Sequence, residues 1–376
     1  PKGAAAMREA GIYIHIPFCA AKCPYCNFYS LPHSQSQWQE YTDTLCQVLK
    51  GWQGRGITAK TLYFGGGTPS LLPAELLLQI RDTVCRVFGQ PEEITLEANP
   101  GLCTPEKLRR LRQGGFDRIS FGVQSLEEKE LKLLGRLHSP QQAEQAIWQA
   151  AQAGFSNLSA DVMLAIPGQT EQSLEHTLSR LTALPITHLS AYLLKAEPGT
   201  PFYTPDILAL TQDEERCRAL YLKTVSCLEQ AGLPQYEISN FARPGFESKH
   251  NLLYWQGKEY LGFGPAAHSF FYGTRFCYPD DLSAFLDSRG TNRQVLEQQV
   301  DPLEEGVLLG LRLRRGIDLK ELAETYHCPL SRAEGFCRQC IQGGLMERRE
   351  GRIALTPEGF LVSNEIIVRL LECLEP

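Results

Sequence analysis

Six short apolar runs, each followed by a stretch of helical period or a polar break, limit the fold of this chain more than any other feature. They are IYIHIP from Ile12, TLYFGGG from Thr61, EITLEANP from Glu93, RISFGVQS from Arg118, LSADVMLAIPG from Leu158 and HLSAYLL from His188. Each is rich in β-branched or aromatic residues and ends in Gly, Pro or a polar residue, as buried strands do. Helix starts lie between them. Thr104 stands as an N-cap before Pro105, Thr170 opens TEQSLEHTLSRLTAL, and Ser125 with Glu128 reads as a capping box. This alternation builds parallel strands joined by right-handed crossovers. Six units are too few for a closed eight-fold barrel. The expectation is an α/β fold, a partial (β/α)6 TIM-like barrel, with a doubly wound sheet as the alternative. In both, chemistry sits at the C-terminal ends of the strands.

The chain divides on composition into four stretches. Residues 1–11 read as a tail without the apolar centre of a secretory signal, and residues 12–240 as the core domain. Residues 241–300 form a connecting region dense in aromatics and glycine, and residues 301–376 read as helix, helix, hairpin, helix, an order resembling a winged helix. A net charge of -6 gives no general nucleic-acid surface. The basic stretches LRLRRG and ERREGR lie among acids, so no nucleic-acid partner is expected. No apolar run approaches the roughly 20 residues that span a bilayer. An odd cysteine count of 13 without an export signal points to a reducing compartment, and the cytoplasm is the expected location.

Three of those cysteines, Cys19, Cys23 and Cys26, fall within eight positions directly after the first strand. Their spacing would suit one helical face, but Pro24 removes a backbone donor and disfavours helix at the residues before it. A loop wrapped around a ligand fits better. Converging thiolates repel one another unless a metal neutralises them. Structural zinc takes four protein ligands, whereas a [4Fe–4S] cluster held by three thiolates leaves one iron open. Free buried thiols are the remaining alternative. A second set, His327, Cys328, Cys337 and Cys340, has a helical spacing that fits core packing better than zinc.

Other strand ends add polar groups. Gly65 to Thr68 form a glycine turn that brings backbone close to a ligand and exposes N–H groups. Glu97, Gln124 and Asp161 end or interrupt later strands, and Arg136 follows the fourth. A nest, a guanidinium and two carboxylates at one rim suit a zwitterionic ligand carrying a sugar. His15 and His268 lie in strand-end motifs and are candidate pocket lining.

Together, CAAKCPYC, YIHIPFC, GGGTPS, EANP, GVQS, DVMLAIPGQT and GFGPAAHS resemble the radical S-adenosylmethionine superfamily, in its coproporphyrinogen dehydrogenase-like branch. The resemblance implies a partial barrel of the radical SAM type with a winged-helix-like C-terminal domain. It implies a [4Fe–4S] cluster on Cys19, Cys23 and Cys26, with S-adenosylmethionine on the open iron. It further implies contacts to S-adenosylmethionine from Tyr13, Tyr25, Gly66, Gly67, Thr68, Glu97, Gln124, Arg136 and Asp161.

Two kinds of member differ next to the cysteines. Oxygen-independent coproporphyrinogen III oxidases carry a further cysteine two residues past the third, where this chain has Phe28. Haem chaperones of the HemW type resemble CxxxCxxCxF and carry HNxxYW, here HNLLYW from His250 to Trp255. That resemblance implies haem as ligand, with His250 on the iron and Tyr254 and Trp255 flanking the porphyrin. It also implies delivery of haem to acceptor proteins, respiratory enzymes among them, a homodimer, and no coproporphyrinogen III oxidase activity.

Overall fold

A computed structural model describes residues 7–32 and 35–375. All six expected strands form: β1 (Arg8–Ile16), β2 (Ile57–Gly66), β3 (Glu93–Ala98), β4 (Arg118–Gln124), β5 (Asn157–Leu164) and β6 (His188–Leu193). Each pairs parallel with the next. Their side chains, Ile12, Ile14, Leu62, Phe64, Leu96, Ile119, Phe121 and Leu158 among them, are fully buried. Each such side chain contributes roughly 1.5–3 kcal/mol. The expected tail is shorter than residues 1–11. Residues 1–6 lie outside the described part, and from Arg8 the chain is already strand.

The stretch 241–300 is folded into the central sheet, where the sequence shows only a connector. β7 (Asn240–Ala242) lies antiparallel to β6. On the other side of β1, β8 (Tyr260–Phe263) pairs parallel with it. Then β9 (His268–Phe271), β10 (Thr274–Cys277) and β11 (Gln294–Glu297) extend the sheet antiparallel. The result is one 11-stranded sheet in the order β11-β10-β9-β8-β1-β2-β3-β4-β5-β6-β7. Strands four residues long, broken by turns at Gly264 and Gly273, leave no period to read.

Thr104 caps the helix Pro105–Gln113 by accepting from Lys107 N. Thr170 and Ser173 form a reciprocal capping box on Glu171–Thr182. Ser125 does not cap. Its hydroxyl donates to the buried Glu130 carboxylate at 2.6 Å, so the helix starts at Glu128 without a side-chain cap.

The C-terminal part holds helices Pro302–Gly310, Leu319–Tyr326 and Leu330–Gln342, the hairpin β12 (Met346–Arg349) and β13 (Arg352–Leu355), and helices Pro357–Leu361 and Ser363–Leu374. Cys337 and Cys340 pack in its core. Backbone bonds join it to the barrel, with Ile238 N donating to Arg312 O and Arg314 N to Tyr236 O. No helix among the described residues is long and apolar enough to cross a membrane.

Glu237 lies fully buried at that junction, accepting from Ser239 N at 3.2 Å. Burial pushes its carboxyl up from 4.5 to about 7. The folded state therefore favours the protonated form. Its contribution is complete below pH 4.5 and is lost as pH rises through about 7. Glu237→Gln, which stays neutral, is expected to stabilise the protein by about 2 kcal/mol at pH 8 and by nothing at pH 4. Denaturant unfolding across that range checks it; a difference independent of pH would refute it.

Candidate cofactor-binding site

After β1, Phe18–Cys19 pairs as a two-residue strand with Leu31–Pro32, and the residues between them form bends and turns rather than helix, as Pro24 favours. Backbone bonds pin this loop to the rim. Gly67 N donates to Ile16 O, Thr68 N to Phe18 O, Leu31 N to Pro17 O, and Phe202 N to Pro24 O. Beneath it a small apolar cluster of Leu134, Met163, Ile166, Leu194 and Phe202 packs against Tyr25.

The glycine turn does a different job from the one its sequence suggests. A Cβ at Gly65 would lie 2.9 Å from the Tyr13 ring, at Gly66 2.8 Å from the His15 ring, and at Gly67 2.6 Å from Phe18 O. These positions are glycine because the chain's own neighbours occupy the space. Nor are the N–H groups free. Those of Gly67 and Thr68 hold the cysteine loop, and that of Gly66 bonds Glu97. The expected backbone nest for a carboxylate is therefore not there, since its donors are already committed. What the turn offers a ligand is close approach without side chains.

The cysteines stand among hydrogen-bond donors. Cys19 Sγ is 3.4 Å from the Thr68 hydroxyl, and Cys23 Sγ accepts from Arg136 Nη1 at 3.6 Å. Burial pushes the Cys26 thiol up, and Cys19 and Cys23 add to it. Three thiolates here need a cationic centre. Among the described residues, no three His, Cys, Asp or Glu side chains close on a single-ion site. Donors to sulfur, an aromatic surround and thiols grouped around one loop suit a multinuclear cluster.

Arg136 is the hub of the rim. Its Nη2 donates to Asn99 Oδ1 and to Gly122 O, both at 2.6 Å, and Nη1 reaches Tyr25 OH at 3.5 Å. Its Nε is buried with no partner among the described residues. An orphaned guanidinium N–H beside the cysteines fits an incoming carboxylate. Gln124, held at a left-handed φ of 69°, brings its amide to the same group, and a Cβ at Gly122 would crowd all three side chains. Asn99 and Gly122 are missing from the sequence reading. Asn99 lies two residues past Glu97 in the same EANP motif, which could have flagged it.

Further into the barrel, Tyr63 donates to Glu97 at 2.8 Å, and Ser120 to Asp161 at 3.0 Å. Burial pushes the Glu97 carboxyl up to about 7, and the Asp161 charge adds to the rise. Burial also raises Asp161, against hydrogen bonds from Ser190 and Ser120. These carboxylates are poised for hydroxyl or ammonium partners.

His250 sits on the helix Lys249–Trp255, whose N-terminus Glu93 caps by accepting from Lys249 N and His250 N, both at 3.2 Å. Its ring is 1% exposed. Nδ1 bonds Thr61 Oγ1 at 2.6 Å and Nε2 bonds Tyr254 OH at 2.7 Å. Burial pulls its pKa down to about 3, so the ring is neutral with both nitrogens engaged. Tyr63 stacks on it at 5.0 Å, linking it to Glu97. Tyr254 and Trp255 do not flank one ligand. Tyr254 lines a cleft beside the cysteine loop, while Trp255 lines a separate cavity against the C-terminal helices. Consecutive helical residues point about 100° apart.

That cleft has a volume of about 630 Å³. Tyr13, Phe28, Tyr29, Tyr254, Tyr260 and Tyr278 supply its aromatic walls.

Comparison with known proteins agrees with this geometry. The radical SAM superfamily profile matches residues 13–181, and that of the HemN C-terminal domain matches residues 298–362. A protein of Bacillus subtilis named heme chaperone HemW is 36% identical over 94% of this chain and 97% of its own length. The chain belongs to the HemW family of radical SAM proteins. The Escherichia coli heme chaperone HemW is 38% identical over 68% of this chain and 69% of its own length. Among solved structures, the E. coli coproporphyrinogen III oxidase HemN superposes with a TM-score of 0.79 at 22% identity, covering 97% of this chain and 90% of that one. This chain and HemN thus share one fold.

Proposed function

We infer that this chain is a haem chaperone. It carries a [4Fe–4S] cluster on Cys19, Cys23 and Cys26, binds S-adenosylmethionine at the rim, and passes haem to acceptor proteins. The observation that carries the reading is that the cysteine loop is itself a wall of the aromatic cleft. Asn27, Phe28 and Tyr29 follow Cys26 directly and line it. Phe28, 66% exposed, offers its ring to that cleft beside five tyrosines that line it. The B. subtilis and E. coli relatives are named as heme chaperones, which supports the same reading.

When bound, S-adenosylmethionine supplies an amine and a carboxylate to the iron that no thiolate takes. The residues offered to it are Tyr13, Tyr25, Gly66, Gly67, Thr68, Glu97, Gln124, Arg136 and Asp161. Arg136 takes the carboxylate. Glu97 and Asp161, half-buried and raised by burial despite the Arg118 charge nearby, take amine or ribose hydroxyls. His250 holds Tyr254 in the cleft wall.

Protein reconstituted without oxygen is expected to bind hemin with a Soret shift. It is also expected to form no protoporphyrinogen from coproporphyrinogen III when given S-adenosylmethionine and a reductant. Decarboxylation at enzymatic rates would overturn the chaperone reading in favour of an oxidase.

A further inference from the structure

We propose that His268, and not His250, is the protein ligand to haem iron, with the macrocycle lying in the 630 Å³ cleft against Phe28. This rests on the reading that the chain binds haem. Three described histidines lie at or beside the cleft. His250 has both ring nitrogens engaged behind Tyr254. His15 is buried, with Nδ1 on Tyr13 OH at 3.1 Å and Nε2 on Tyr29 O at 2.9 Å. His268 lines the cleft, is exposed, and makes no side-chain hydrogen bond to the described residues. A neutral imidazole with a free nitrogen is what iron needs.

The backbone fixes this orientation. His268 opens β9, and its neighbour Ser269 faces the other way, its hydroxyl accepting from Gly262 N at 2.9 Å. Across the hairpin His268 stands opposite Cys277, another lining residue. Burial and Asp280 both push the Cys277 thiol up, which keeps it neutral and a weaker ligand than imidazole. Among the described lining residues Asp280 is the one acid, so the propionate edge would face away from it towards solvent. Aromatic faces then meet the porphyrin, as haem's flat apolar surface requires.

The test compares hemin with iron-free protoporphyrin IX on the full chain. His268→Ala is expected to weaken hemin binding at least about tenfold while changing protoporphyrin IX affinity less than about twofold. Added imidazole is expected to restore the wild-type hemin spectrum. His268→Met guards against misfolding, and is expected to give a folded protein whose Soret band moves to that of a thioether-ligated haem. His250→Ala is expected to keep the histidine-ligated spectrum and to weaken both porphyrins alike through loss of Tyr254 placement. A wild-type spectrum in His268→Ala, or imidazole rescue of His250→Ala alone, overturns the assignment. Absence of any Soret shift in the wild-type protein overturns haem binding itself, and is thereby told apart from failure of the ligand choice.

Discussion

Cys23→Ser is expected to cut the iron and sulfide retained after oxygen-free reconstitution to below about a tenth of wild type, with the fold intact. Cys23 lies half-buried in a loop, where its sulfur meets Arg136 Nη1 at 3.6 Å and the Tyr25 hydroxyl. It carries no share of the apolar core. Loss of its thiolate leaves Cys19 and Cys26 as the protein corners of the cluster, and a serine hydroxyl, far less acidic than a thiol, is a much poorer ligand to iron at neutral pH. Far-UV circular dichroism and the thermal midpoint should stay near wild type, while S-adenosylmethionine binding disappears along with the iron. Cys217→Ser is the matched control. It sits on the helix Glu214–Gln230, packed against the core, and should leave iron content unchanged. Equal iron in Cys23→Ser and wild type would remove the basis for a cluster in this loop.

How much of this was legible in the sequence depended on the range of the interactions. Parallel strands buried on both faces must be continuous apolar runs, so β1 to β6 could be read one by one. The strands β8 to β11 are four residues each and take their identity from pairing with β1 and with one another, which no local pattern records. The cysteine loop was visible because thiol density is itself chemical information. The glycine turn was visible but misread. Its composition says that no side chain fits, and only the fold says that Tyr13, His15 and Phe18 are the reason. HNLLYW shows the same limit. Thr61, Glu93 and Tyr63 take up His250 from far away in sequence, turning an apparent ligand into a buried, doubly bonded ring. His268, legible in the sequence only as candidate pocket lining, is the described histidine of the cleft whose ring no side-chain hydrogen bond takes up.

Arg136→Leu is expected to weaken S-adenosylmethionine binding about a hundredfold, equivalent to about 3 kcal/mol, without preventing cluster assembly. The guanidinium is already fixed by Asn99 Oδ1 and Gly122 O, so it binds a carboxylate without first losing side-chain freedom. Its buried, unpartnered Nε leaves a donor for the ligand. Leucine fills similar volume but abandons Asn99 and Gly122 as acceptors, which costs about 1–3 kcal/mol of stability. Arg136→Lys separates charge from geometry. It keeps the positive charge and loses the fork, so an affinity about tenfold below wild type is expected. Equilibrium dialysis of S-adenosylmethionine onto reconstituted protein, with iron measured in the same samples, distinguishes the two effects. Iron at wild-type level with the ligand weakened in the order Leu, then Lys, places the carboxylate on Arg136. Undiminished binding in Arg136→Leu would move the carboxylate elsewhere on the rim and leave the orphaned Nε without its explanation.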